Sequence, residues 1–174
     1  MMASDTASLL VRSSGSRYIE VLTRLRTFVD TEGLDTLAEL WSHSEVGSLP
    51  RALWRLFQIR ERVVHSPDDV GHLVQRGLEA LDTIDPIVVG TQQPVTAESV
   101  RELIEQILTG SFTGSLADAL ERASSLARLV ASGLLEASPD LDDNYSVALS
   151  SLAWSDVASE LALSAKRERN GTLR

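Results

Sequence analysis

Apolar side chains along this chain return at steps of three and four residues, and run after run opens on a residue suited to cap a helix. The clearest run follows Ser115: Leu116, Leu120, Ala123, Ala127, Val130 and Leu134 make one face of a helix apolar. A strand would repeat its apolar face every second residue instead. The expected fold is therefore all-α, a single-domain bundle of about seven helices.

The remaining runs are read in the same way. Ser16 caps a first helix in which Tyr18, Val21, Leu22, Leu25, Phe28 and Val29 recur until Gly33. Leu34, Leu37, Leu40 and Trp41 mark a short second helix, with residues 43–47 as its exit turn. Ser48 and Pro50 open a third, whose apolar positions are Leu49, Leu53, Leu56, Phe57, Val63 and Val64. Ser66, Pro67, Asp68 and Asp69 supply a cap, a first-turn proline and two acids for the positive end of a fourth helix. Its stripe is Val70, Leu73, Val74, Leu78, Leu81 and Ile84, with Gly77 inside it. Glycine there costs about 1 kcal/mol against alanine, so close approach of a neighbouring helix is expected to compensate.

Residues 86–95, with two prolines and a glycine, read as a connecting loop. Thr96 then caps a fifth helix carrying Val100, Leu103, Ile104, Ile107 and Leu108 and closed by Gly110. Ser115 with Asp118 resembles a capping box in which Asp replaces Glu. A last helix is expected from about residue 143 to about residue 168. It has two apolar faces, one with Tyr145, Ala148, Leu149 and Leu152, the other with Val147, Trp154, Ala158, Leu161 and Ala165. Such a helix is either central in its bundle or shared with a second copy. Residues 1–15 read as a disordered tail, 16–168 as the helical domain and 169–174 as a C-terminal tail.

Charge and composition narrow the function classes. The 174 residues carry a net charge of −9 and no cysteine. Disulfide frameworks, Cys-ligated zinc and cysteine nucleophiles are excluded. The acidic balance argues against a surface that coats nucleic acid or anionic lipid. Of the 16 basic residues only Lys166 is a lysine. The first residues hold only a three-residue apolar run, Leu9 to Val11, too short for a signal peptide, and no stretch approaches a membrane span. A cytoplasmic protein is expected.

No metal or cofactor is expected. His43, His65 and His72 do not stand at i, i+4 from one another, and His65, Asp68, Asp69 and His72 read as a capped turn. Glu102 with Glu105 and Asp118 with Glu121 resemble the paired acids of Mg-dependent all-α nucleoside-triphosphate pyrophosphohydrolases, which implies four carboxylates around Mg²⁺. At about 100° per residue, however, all four fall opposite their helices' apolar stripes and should face water. Residues 110–115 precede a helix N-terminus and are explained as a turn between helices. Catalysis is not expected.

The third helix is the most informative segment. Arg51, Arg55, Gln58 and Arg62 project to one side, and Arg60 falls within the apolar arc of Leu53, Leu56, Val63 and Val64. A buried guanidinium needs a partner. Arg60 is expected to pair with an acid of a neighbouring helix; the alternative is that it lines a pocket for an anionic ligand. Arg51, Trp54, Arg55 and Arg60 are the candidate binding residues. Arg51 and Arg55 are either merely solvated or contacts to DNA, and in both cases their removal should hardly change stability.

Residues 16–63 also resemble a TetR-type DNA-binding domain. Phe28 and Gly33 end its first helix, Gly47 stands at its turn, Leu53, Trp54 and Phe57 match the end of its recognition helix, and Arg60-Glu61 match its following Lys-Glu pair. The resemblance implies that Leu49, Arg51, Ala52 and Arg55 lie near the groove and that the remaining helices form a ligand and dimer domain. Leu37, Leu40 and Trp41 stand about two residues from that family's pattern. The chain from Leu49 to Phe57, through residues 85–90, to residues 111–123 is also similar to an uncharacterised all-helical family from actinobacteria, which implies no activity. The preferred expectation is a non-enzymatic helical binding or scaffolding protein. It would self-associate, or meet a protein partner, through Val147, Trp154 and Leu161 of the last helix. The alternatives are the regulator, with DNA as partner, and the pyrophosphohydrolase.

Overall fold

A computed structural model describes residues 2–12, 33–81, 95–137 and 144–174, the last helix with side chains from Ser150 onward. Seven helices lie among the described residues: α1 (Met2–Val11), α2 (Leu34–Ser42), α3 (Leu49–His65), α4 (Pro67–Leu81), α5 (Ala97–Leu108), α6 (Leu116–Glu136) and α7 (Asn144–Arg169). No strand occurs among these residues, and the class is all-α as expected. No described helix is long and apolar enough to cross a membrane. The expected helix over residues 16–33 and the loop over residues 86–94 lie outside the described residues.

Local chemistry explains where the helices start. The Ser48 hydroxyl accepts from Arg51 N–H at 3.3 Å, with Pro50 in the first turn. Thr96 and Ser99 exchange hydrogen bonds in a full capping box. Ser115 accepts from Asp118 N–H at 3.2 Å, but the Asp118 carboxylate is taken by Arg169 at 3.0 Å. Gly110 ends the α5 segment at φ 72°, a left-handed conformation that suits glycine.

The expected disordered tail over residues 1–15 is corrected over Met2–Val11, which is helical. Ala7 and Leu10 are buried, and the Trp41 indole N–H donates to the Thr6 hydroxyl at 3.1 Å. The tail over 169–174 is corrected as well. Leu173 is buried, the N–H of Leu49 donates to the Arg174 carbonyl at 2.8 Å, and Arg12 donates to the Leu173 carbonyl at 2.6 Å. The Arg174 carbonyl satisfies a first-turn amide of α3 that has no partner within its own helix.

The central helix is α6. Leu120, Leu126, Leu129 and Val130 are fully buried, and so, nearly, are Ser124 and Ser125 on another side. Helix α7 runs antiparallel to it, because Ser124 Oγ donates to the Ala158 carbonyl at 2.7 Å while Ser151 Oγ donates to that of Ala131 at 2.9 Å. Helix α4 crosses another side at Gly77 and Gly133, where the backbones touch. Helix α3 packs against all six other helices.

Candidate functional site

Four residues, Arg51, Arg55, Gln58 and Arg62, line one side of α3, because steps of three and four bring them round to the same face. Helix α7 lies across this side and presents Glu160 to it. Arg51 donates from Nε to Glu160 Oε2 at 2.9 Å and from Nη2 to Oε1 at 3.3 Å. Arg55 does the same, at 2.8 Å from Nε and 2.7 Å from Nη2. One carboxylate is thus held by two planar guanidinium forks, the strongest arrangement this pair of groups makes. Arg51 also reaches the Ser42 carbonyl at 2.7 Å, and Arg55 reaches Gln58 Oε1 at 2.8 Å.

The cluster is largely shielded, with the Glu160 side chain 14% and the Arg55 side chain 15% exposed. The hydrogen bonds from Arg55, against a partial burial that acts the other way, and those from Arg51 hold the Glu160 carboxyl at about 2. Arg51 and Arg55 are therefore neither merely solvated nor directed outward. The expectation that their removal hardly changes stability is corrected, because it would strand Glu160.

Arg60 meets the acid expected of it: its Nε donates to Glu105 Oε1 of α5 at 2.6 Å, and its Nη1 to Glu61. Its side chain is 25% exposed. Val64, one turn further along, is 48% exposed. Arg60 therefore stands at the solvent edge of the arc, with Val63 buried and Val64 open to water. Trp54 is half-buried and stacks on Phe57, with ring centroids 5.9 Å apart.

Beside the Glu160 cluster, a cavity of about 380 Å³ opens between α3, α4, α6 and α7. Ile59, Val70, Leu73, Val130 and Val157 give it an apolar floor, and Trp154 forms a wall. Arg55, Gln58, Arg62, Asp69 and Ser150 supply the polar rim. Sequence reading placed Arg55 and Trp154 among functional residues but not Arg62, and it did not find Glu160. Glu160 stands three residues after Val157 and four before Ser164, both buried, so once the helices are packed it needs a cation on the facing helix.

The other expected sites resolve differently. Leu161 is fully buried in the chain's own core and is not offered to a second copy, which corrects its place in a self-association face. Trp154 is half-buried against the core, and the Val147 side chain lies outside the described residues. Glu102 is exposed, Glu105 is bound by Arg60, and Asp118 and Glu121 are both bound by Arg169. Among the described residues no three His, Cys, Asp or Glu side chains are grouped so as to hold a metal ion. The turn over residues 110–115 borders a second cavity, whose Arg12 and Arg169 are held by Glu168 and by Asp118 with Glu121.

The chain matches no family model, and no curated protein or solved structure matches it.

Proposed function

We propose that this chain is a non-enzymatic helical binding protein whose cavity between α3, α4, α6 and α7 receives a small, mainly apolar molecule. The observation that carries this reading is the combination of an apolar floor with a short polar rim in one concave space. Its volume of about 380 Å³ lies within the range of roughly 300–1,000 Å³ usual for small-molecule sites. The walls come from four helices fixed by the buried core, so the site is largely preformed and little ordering is needed on binding. Three of the four acids on α5 and α6 that would serve a metal-dependent hydrolase, Glu105, Asp118 and Glu121, are tied to arginines, and two of the α3 arginines that would serve DNA, Arg51 and Arg55, are tied to Glu160.

The test uses N-phenyl-1-naphthylamine, a neutral apolar probe whose emission rises on leaving water. Saturable binding to one site per chain is expected, with accompanying quenching of tryptophan emission that is absent in Trp154→Phe. Ala153→Trp, at an exposed position on the cavity wall, should fill the space and abolish binding without lowering the thermal midpoint. Probe binding that survives this substitution, or no saturable binding at all, would overturn the reading.

A further inference from the structure

Resting on that reading of the cavity, we infer that its ligand is an amphipathic anion, a carboxylate on a medium-length aliphatic body, with the carboxylate at the α3 rim and the body over the apolar floor. The argument starts from the arginines of α3. Arg51 and Arg55 bind Glu160, and Arg60 binds Glu105. Arg62, which lines the cavity, binds no carboxylate among the described residues. Beside it, Arg55 spends three of its N–H groups on Glu160 and Gln58. A guanidinium has five, so two remain for a further acceptor.

The other charge on the rim gives the ligand a direction. Asp69 lines the same cavity from the first turn of α4 and sets a carboxylate opposite the arginines of α3. An anionic head is repelled from that wall and drawn to the α3 wall. Beyond Arg62 and Asp69 the rim continues into an outer recess bordered by His72 and Arg76. Below the rim the described lining residues, Ile59, Val70, Leu73, Val130 and Val157, are apolar and suit an aliphatic body.

Decanoate and decanol, which share a chain length and differ in charge, separate head-group recognition from apolar uptake. With the full chain at low salt, decanoate is expected to displace the naphthylamine probe at least about tenfold more effectively than decanol, the lower bound for a charge-assisted hydrogen bond. Arg62→Gln should remove that advantage and leave decanol and the probe unaffected. Asp69→Asn should strengthen decanoate alone. Equal competition by the two compounds, or an undiminished preference in Arg62→Gln, would overturn the assignment while the apolar site stood. Failure of the probe itself to bind would overturn both.

Discussion

Gly77 and Gly133 answer each other across one helix crossing. A β-carbon on Gly77 would overlap the carbonyl of Leu129, and one on Gly133 would overlap the carbonyl of Leu73. Each glycine thus receives the backbone that lies one turn before the other, which is the signature of two antiparallel helices in direct main-chain contact. The cost of Gly77 inside α4 is offset by this approach.

Gly77→Ala and Gly133→Ala should each destabilise the fold by about 2–4 kcal/mol, because backbone and not a flexible side chain must move. Gly71→Ala, on the same helix with open space around it, should stabilise by about 0.5–1 kcal/mol. Urea unfolding of the three variants checks both signs.

Glu160→Gln should be less stable than the parent at neutral pH by about 3–4 kcal/mol, at about 1.4 kcal/mol for each pH unit by which the carboxyl is depressed. The folded carboxyl titrates at about 2 against an ordinary 4.5. Its contribution is therefore complete above about pH 4.5 and is lost as pH falls through 2. The gap between parent and variant should close over that interval in acid-unfolding curves. Arg51→Ala combined with Arg55→Ala should cost at least as much at pH 7.

Glu105→Gln provides the contrast. Its pair with Arg60 is short but more open to water, with side chains 30% and 25% exposed. A loss of about 1 kcal/mol or less is expected in the same assay, and added salt should reduce it further.

Thr6→Val removes the acceptor of the buried Trp41 indole N–H. An unsatisfied buried donor costs about 1–3 kcal/mol, here charged to the docking of α1. Hydrogen exchange should quicken in α1 well before it changes in α6.

Much of the bundle was legible because helix starts are written in single residues: Ser48, Thr96 and Ser115 cap as expected, and Pro67 begins α4. Helix α1 was not, since Leu9 to Val11 is too short a run to predict a helix and its order comes from packing on Trp41. The apolar stripe of α6 was legible, but its second buried side was not. Serines carry no apolar signal, yet the Ser124 hydroxyl finds a carbonyl on α7 and so can be buried within the bundle. Of the candidate site, the arginine side of α3 was visible as spacing, whereas its partner Glu160 lies 105 residues beyond Arg55 and became visible only with the helices in place.

Because α3 borders the six other described helices and also supplies the rim of the cavity, displacing it would disturb all of them together. A peripheral helix such as α1 can loosen alone, whereas the innermost amides of α3 should exchange only in the largest openings. Occupancy of the cavity is then registered everywhere as slower global opening, so a bound molecule would protect amides in α5, on a helix outside the cavity wall, as much as those beside it.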